Sequence, residues 1–238
     1  MAIWTSPISS SSPMPPELLA ERLSRVQSEI ADASRAANRD PVSVTTIVVT
    51  KFHPASLVRD LASLGVRDFG ESRHQEAQAK VAELADLDAT WNFVGQLQSK
   101  KARQVKAYAN VLHSVDRESL VDALGDGGEV RDAFIQVNLT GEEHRGGVLP
   151  TNLDALVERV AASTGLRLIG LMTVAPLHGE ARAAFARLRE LSERVRETVP
   201  GASALSMGMS GDFREAILEG ATHLRIGTAI TGNRPIQG

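Results

Sequence analysis

The sequence predicts a closed (β/α)8 barrel of the TIM type with an additional helix at its N-terminus. Short β-branched or apolar runs alternate with amphipathic ones eight times in about 190 residues, which suits a closed barrel better than an open sheet. The first of these runs is β-branched throughout, as in a parallel strand that is covered on both faces. No glycine-rich dinucleotide fingerprint follows that run, which argues against a doubly wound sheet.

The composition is that of an ordinary folded protein. The chain has 238 residues, of which 42% are hydrophobic and 23% charged, so it is long enough to bury a sizeable core. Its formal net charge of −3 gives no overall attraction to nucleic acid or to anionic lipid. The absence of cysteine excludes disulfides, thiolate metal sites and cysteine nucleophiles. We therefore expect neither nucleic acid nor a membrane as a partner.

The first sixteen residues differ from the rest of the chain. They carry no charged side chain and have neither the basic start nor the unbroken apolar run of a secretory signal. We expect residues 1–16 to form a flexible tail and residues 17–238 to form one domain. No later stretch approaches the ~18 uninterrupted apolar residues of a membrane span. These features predict a cytoplasmic chain, which we expect to be a monomer.

An amphipathic helix precedes the first strand. Apolar residues between Leu19 and Ala37 recur at spacings of three and four, which predicts a helix over residues 17–38. The β-branched run that follows, from Val44 to Thr50, predicts the first strand.

Seven further strands alternate with helices along the rest of the chain. The strands are predicted at residues 66–69, 91–95, 111–115, 133–138, 166–171, 204–207 and 223–226. The helices are predicted at residues 54–64, 72–84, 99–107, 117–124, 153–163, 180–198 and 212–218, and most carry an apolar stripe at helical spacing.

Lys51 is the first candidate for a functional residue. Active sites of these barrels form at the C-terminal ends of the strands, and Lys51 directly follows the first strand. A lysine at the barrel mouth can act as a nucleophile towards a carbonyl group. Lys51 is one of five lysines, and the other four fall in helical stretches that we expect to be exposed. The alternative interpretation is a solvated lysine on a loop.

The loops after the last two strands form a second candidate, an anion-binding site. After strand seven, Ser210 and Asp212 suit a helix N-cap. After strand eight, Gly227 and Thr228 can offer N–H groups and a hydroxyl to the same anion. Loops at these positions commonly bind phosphate in such barrels. Each motif alone also fits a plain helix start. The prediction therefore depends on the occurrence of both motifs after the two strands where such barrels bind phosphate.

Arg225 is a charged residue in an otherwise largely apolar strand. By the alternation of side chains, Arg225 shares one face with His223, while Leu224 and Ile226 share the other. The guanidinium can therefore point into the barrel mouth, where it would be costly without a partner. The alternative is an ion pair with a neighbouring carboxylate.

Several of these stretches together resemble one known family. They are Val49–Lys51, Phe69–Ser72, Phe93–Gln98 with Lys100 and Lys101, His113–Asp116, Gly170–Thr173, Leu205–Ser210 with Asp212, and Arg225–Gly227. In order and spacing they resemble the pyridoxal-phosphate homeostasis proteins, which are single-domain relatives of the alanine racemase barrel. The resemblance covers residues 17–235, and its two C-terminal motifs are the specific ones.

The resemblance implies a cofactor and a set of contacts. Lys51 would form a Schiff base with pyridoxal 5′-phosphate (PLP). Ser210, Gly227 and Thr228 would hold its phosphate. Arg225 would face the pyridine nitrogen.

Three positions depart from the family pattern. Ser72 stands where the family usually has an asparagine, so a shorter hydroxyl replaces a carboxamide near the cofactor. Asn92 stands where a histidine is common, and Thr231 replaces the usual aromatic residue after the last strand. Of the predicted contacts to the cofactor, the one from Ser72 therefore has the least support from the family pattern.

The first functional hypothesis is a protein that holds PLP and buffers or delivers it, with PLP-dependent apoenzymes as recipients. A guanidinium stays protonated, so Arg225 can only donate to the ring nitrogen, which then stays unprotonated. An unprotonated pyridine is a poorer electron sink. We therefore expect little or no catalysis, and weak amino-acid racemisation if there is any.

Two alternatives stay open. One is a PLP-dependent racemase or lyase with His113, His144 or Asp116 as its base. The resemblance implies that racemases on this barrel take a tyrosine base from a second domain, whereas the single tyrosine here, Tyr108, lies in a helical stretch. The other alternative is an aldolase that uses Lys51 without a cofactor and holds a sugar phosphate.

Overall fold

The computed structural model describes residues 15–125, 128–142, 145–176 and 180–233. Only Pro15 and Pro16 of the predicted tail lie within these ranges, and Pro16 is already the first residue of a helix. His144 lies outside the described residues.

Eight parallel strands pair in chain order, and the last pairs with the first to close a barrel. The strands are β1 (Thr45–Val49), β2 (Asp68–Glu71), β3 (Thr90–Phe93), β4 (Val111–Val115), β5 (Arg131–Gln136), β6 (Leu166–Met172), β7 (Ala204–Ser206) and β8 (His223–Ile226). The predicted (β/α)8 barrel is confirmed.

The helices surround the barrel and agree closely with the sequence pattern. They are α1 (Pro16–Ala36), α2 (Ala55–Ser63), α3 (His74–Glu83), α4 (Ala102–Lys106), α5 (Glu118–Gly125), α6 (Leu153–Ala161), α7 (Ala181–Thr198), α8 (Phe213–Leu218) and α9 (Thr228–Thr231). The predicted helix over residues 99–107 is divided into a 3-10 turn, Ser99–Lys101, and the short α4. The four-residue α9 was not predicted, because so short a segment shows no periodic pattern.

The extra N-terminal helix is present and covers part of the barrel wall. Its buried apolar residues Leu19, Leu23, Val26 and Ile30 recur at the spacing of one helix face, and α1 packs against α8 and α9. Because α9 follows β8, this packing fixes the loop at the end of the last strand.

The strands separate an outer apolar layer from a partly polar interior. Val48 and Phe69 are fully buried between the strands and the helices. The interior contains Phe134, whose ring centroid lies 4.6 Å from that of His113 and 5.1 Å from that of His223. The barrel is thus a packed core with polar groups inside it.

The expectation that the four helical lysines are exposed is wrong for two of them. Lys80 and Lys106 are only 5% and 7% exposed. Each ammonium group finds acceptors inside the protein, for example the Leu124 carbonyl, which lies 2.6 Å from Lys106 Nζ. A buried charge is tolerated where such acceptors replace water.

Within the described ranges, no helix combines the length and the apolarity needed to cross a membrane.

Candidate functional site

The register of the barrel brings the ends of β1, β7 and β8 to one edge of its mouth. Val48 of β1 is level with Ile226 of β8. One residue further, a Cβ placed on Gly227 would lie 3.7 Å from the Cβ of Val49. The turn that carries Lys51 therefore leaves the barrel beside the loop that carries Gly227 and Thr228.

Lys51 lies in a tight, partly buried turn. Phe52 has a φ of +70°, in the left-handed region that residues other than glycine rarely adopt. The Lys51 Nζ atom is 6.0 Å from the centroid of the Phe52 ring, and the Arg73 guanidinium carbon is 5.3 Å from the same centroid. The aromatic ring thus has two cationic side chains close to it.

Ser210 connects the loops after β7 and β8. Its Oγ accepts a hydrogen bond of 3.3 Å from the main-chain N–H of Ala229 in α9, which leaves its own hydroxyl proton for another acceptor. Within the described chain, no hydrogen bond is formed by the main-chain N–H groups of Ser210, Gly211, Gly227 and Thr228. These donors make the site suitable for an anion with several oxygens.

The loop after β7 needs a glycine at position 208. Gly208 has a φ of +92°, and a Cβ there would lie 2.6 Å from the Cβ of Ala216 in α8. Its carbonyl accepts a hydrogen bond of 2.9 Å from the Arg225 N–H. Close contact with α8 and pairing with β8 thus set the path of the loop that carries Ser210.

The predicted N-cap hydrogen bond from the Asp212 side chain is not formed. Asp212 precedes α8, but its φ of −142° and ψ of 12° are not those of a regular N-cap. Its Oδ1 instead accepts a hydrogen bond of 2.5 Å from the Met209 N–H. Burial raises the pKa of this carboxyl, while the Met209 N–H and Arg225 act in the opposite direction. Asp212 therefore shapes the loop rather than the helix start.

Arg225 lies inside the barrel, on the same face as His223, as the alternation predicts. It is 5% exposed. Nη1 donates to Ser206 Oγ at 2.7 Å, and Nη2 donates to the Thr173 carbonyl at 2.8 Å. The partners are a hydroxyl and a carbonyl, not the carboxylate of the alternative interpretation. Burial lowers the pKa of Arg225 to about 10, so it stays protonated at neutral pH.

A chain of hydrogen bonds continues from Arg225 across the barrel interior. Ser206 Oγ lies 2.9 Å from His113 Nδ1, and His113 Nε2 lies 3.0 Å from Asn92 Oδ1. The Asn92 amide nitrogen donates to the Thr90 carbonyl, which directs Oδ1 towards His113. His113 therefore carries its proton on Nε2 and accepts one bond from Ser206.

The sequence pattern does not connect these interior residues with Arg225. Burial holds the pKa of His113 well below its usual range, and the nearby positive charge of Arg225 adds to the effect. His113 is thus a neutral group that supports Ser206 and, through it, Arg225. The available signal was the presence of polar residues at inward positions of three strands, but the pattern alone does not identify their partners.

Ser72 directly follows β2. It lines a cleft of about 770 Å³ between the loops after β1, β2 and β3, together with Phe52 and Phe93. The main chain of Gly95 approaches the Ser72 carbonyl so closely that no side chain fits at Gly95. Thr231, another departure from the family pattern, is 2% exposed and lies in α9.

Two candidate bases of the racemase hypothesis, His113 and Asp116, are occupied by other contacts, and the third, His144, lies outside the described residues. Both ring nitrogens of His113 have partners inside the barrel. Asp116 forms an ion pair with Arg117 at 2.5 Å. Tyr108 stacks on His74 with ring centroids 5.9 Å apart, and burial raises its pKa. Tyr108 therefore has a packing role.

Comparison of sequences connects this geometry with known proteins. Residues 22–235 match the family described as the N-terminal domain of alanine racemase. The chain is 43% identical over 223 residues to the pyridoxal phosphate homeostasis protein of Pseudomonas aeruginosa, covering 91% of this chain and 96% of that one. It is 38% identical over 242 residues to the protein of the same name from Mycobacterium tuberculosis, covering 92% and 94%.

Solved structures agree with the sequence matches. PipY of Synechococcus elongatus, solved with PLP bound, has a TM-score of 0.78 and 38% identity, covering 90% of this chain and 100% of that one. Alanine racemase of Corynebacterium glutamicum has a TM-score of 0.74 over 95% of this chain and 64% of that one, and at 15% identity the likeness concerns the fold alone. The chain belongs to the family of pyridoxal phosphate homeostasis proteins, built on the barrel of the alanine racemase N-terminal domain.

Proposed function

We propose that the chain holds PLP as a Schiff base on Lys51 and buffers or delivers the cofactor, with little catalysis of its own. The observation that carries the proposal is the position of the Lys51 turn, which lies next to the Gly227–Thr228 loop. When bound, PLP supplies an aldehyde, which condenses with an amine and releases water, and a phosphate, which only accepts hydrogen bonds. The names of the relatives and the PLP-bound structure of PipY support this cofactor.

The donors of the anion site fit a phosphate group. The hydroxyls of Ser210 and Thr228 and four main-chain N–H groups face no competing acceptor within the described residues. No carboxylate is needed there, because Asp212 directs its Oδ1 to the Met209 N–H. In the proposed complex, these groups bind and orient the phosphate end.

Arg225 explains why little catalysis is expected. Two of its N–H groups are held by Ser206 and the Thr173 carbonyl, so the guanidinium is fixed and the remaining N–H groups can face a ligand. A protonated guanidinium has no lone pair to accept a proton from a pyridinium. Opposite a pyridine nitrogen, it would keep that nitrogen unprotonated and so limit the electron sink that racemases need.

Replacement of Lys51 tests the proposal. The protein is incubated with PLP and reduced with borohydride, and the peptides are then analysed by mass spectrometry. We expect a pyridoxyl group on Lys51 in the parent and in the control Lys100→Ala, which changes an exposed lysine. Lys51→Ala should lose the adduct and keep its unfolding midpoint, because Lys51 is only partly buried.

A parent protein without a pyridoxyl group on Lys51 would exclude the Schiff base. Delivery is tested separately with an apoenzyme of a PLP-dependent enzyme. The PLP-loaded parent should restore its activity, and failure to do so under conditions where free PLP succeeds would exclude delivery.

A further inference from the structure

A cluster of buried charges lies directly behind the Lys51 turn. Glu71, the last residue of β2, is 2% exposed, and Lys80 of α3 is 5% exposed. The Lys80 Nζ atom lies 2.5 Å from Glu71 Oε1 and 3.0 Å from Glu76 Oε1. It donates a third hydrogen bond of 2.8 Å to the Thr50 carbonyl. The three donors of the ammonium group are therefore all used.

This cluster binds the residues on both sides of Lys51. The Thr50 hydroxyl donates to Glu71 Oε1 at 2.8 Å, in addition to the bond from Lys80 to the Thr50 carbonyl. The Phe52 N–H donates to Glu76 Oε1 at 2.5 Å. Phe52 has the strained φ of +70°, a conformation that persists only where the surroundings hold it. The cluster therefore fixes the backbone immediately before and after Lys51.

The cluster acts on Lys51 through the neighbouring main chain, because Glu71 and Lys80 lie on the outer face of the strands and not in the barrel mouth. Val48 and Phe69 are level with each other and both point into the apolar layer under the helices. Two residues further, Thr50 and Glu71 continue on that same face, where they meet Lys80 from α3. Glu71 and Lys80 are thus separated by the strand layer from a ligand in the mouth.

Stability alone does not account for this arrangement. Burying an ion pair costs desolvation free energy, and an apolar pair of similar volume is often at least as stable. Glu71 also keeps its second carboxylate oxygen, Oε2, buried without a hydrogen-bond partner within the described residues. Burial raises the pKa of Glu71, and Lys80 opposes that shift, so the carboxylate is held at a cost.

We propose that Glu71, Lys80 and Glu76 form a positioning cluster, which holds the Lys51 amine where it can react with the aldehyde of PLP. The inference rests on the proposed function and assigns a role to residues outside the phosphate site. The cluster holds the Thr50 and Phe52 main chain in one conformation, so Lys51 is in place before the ligand arrives. Its loss would affect the covalent step and leave the phosphate site intact.

The test separates the covalent step from binding. Pyridoxine 5′-phosphate has an alcohol in place of the aldehyde, so its affinity reports the pocket without Lys51 chemistry. The rate of the covalent step is measured with PLP by stopping samples with borohydride at successive times and quantifying the pyridoxyl-Lys51 peptide. The variants are Thr50→Val, which removes one hydroxyl at nearly constant shape, and the double change Glu71→Leu with Lys80→Met. The double change leaves no unpaired charge from this pair, so it should fold.

We expect the pyridoxyl-Lys51 rate of the double variant to fall by roughly 10- to 100-fold, the scale on which small displacements of a reacting group act. Thr50→Val should show a smaller loss in the same direction. Affinity for pyridoxine 5′-phosphate should stay within about twofold of the parent. The control is Lys106→Met, which removes another buried lysine, bound to Leu124, and should leave both readings unchanged.

The outcomes are distinguishable. An unchanged rate in the double variant overturns the inference alone. Parallel losses of rate, of pyridoxine 5′-phosphate affinity and of thermal stability also overturn it, because they indicate a merely structural role. A parent protein that gains no pyridoxyl group on Lys51 overturns the proposed function and, with it, this inference.

Discussion

Ser210 has two tasks that a single hydroxyl can combine. Its oxygen accepts the Ala229 N–H, which connects the loops after β7 and β8, and its proton remains for a phosphate oxygen. Ser210→Ala removes both contacts. We expect the affinity for PLP to fall by about 1.5–3 kcal/mol, the range for a hydrogen bond to a charged group. Titration calorimetry or the change in PLP absorbance measures the loss.

Two comparisons make the Ser210 prediction specific to the phosphate. Pyridoxal, which lacks the phosphate, should bind the parent and Ser210→Ala equally. Ser203→Ala, a change at an exposed serine outside the site, should bind PLP like the parent. A variant that lost pyridoxal affinity as strongly as PLP affinity would show that Ser210 shapes the pocket and does not bind the phosphate.

The positions of residues that combine a distinctive type with a strand or strand end could be predicted from the sequence. Lys51 directly follows a β-branched run, and Arg225 is a charge in an apolar strand. Glu71 and Lys80 were not predicted as a pair, because their contact joins β2 to α3 through the packing of the helix layer. A helical lysine is exposed unless tertiary structure supplies acceptors, and a one-dimensional pattern does not show those acceptors.

At the scale of the elements, the path of the loop after β7 depends on Gly208. Any other residue at position 208 would have to adopt the same positive φ, and its Cβ would collide with Ala216 of α8. We expect Gly208→Ala to lower the free energy of unfolding by about 2–4 kcal/mol, from left-handed strain and overpacking together. Urea unfolding followed by circular dichroism measures this loss.

A nearby glycine provides the matched control. An added Cβ at Gly211 meets no atom within 4 Å, so Gly211→Ala should change the free energy of unfolding by no more than about 0.5 kcal/mol. Equal stability of Gly208→Ala and Gly211→Ala would mean that the β7–α8 loop can move away from α8. In that case the contact with α8 would not set the position of Ser210.

Elements with one strong local signal were predicted well, whereas the four-residue α9 was not. The β-branched run of β1 and the single apolar face of α1 each identify themselves in the sequence. By contrast, α9 has four residues and is held by α1 and by Gly227, whose carbonyl accepts the N–H groups of Ile230 and Thr231. Such an element depends on distant parts of the chain, so its local sequence cannot specify it.

For the molecule as a whole, the polar barrel interior makes stability depend on pH. Burial lowers the pKa of His223 to about 4, and it holds that of His113 well below the usual range. Burial also lowers the pKa of His53, which lies near the mouth. In the unfolded chain, all three return to about 6.5. Below that pH, the unfolded chain therefore binds more protons than the folded barrel.

We therefore expect the free energy of unfolding to be highest above pH 6.5 and to decrease as the pH falls from 6.5 to 5. For His223, whose pKa is about 4 in the folded barrel, the decrease between pH 6.5 and 5 is about 1.5 kcal/mol, because its proton is taken up only on unfolding, and His113 acts in the same direction. The carboxyls of Asp68, Glu71 and Asp212 act in the opposite sense, since burial raises their pKa. Urea unfolding at pH 6.5, 5.8 and 5.0 measures the slope. His223→Gln should reduce that slope, whereas a stability that is flat or rises towards pH 5 would mean that the interior histidines bind protons in the folded barrel.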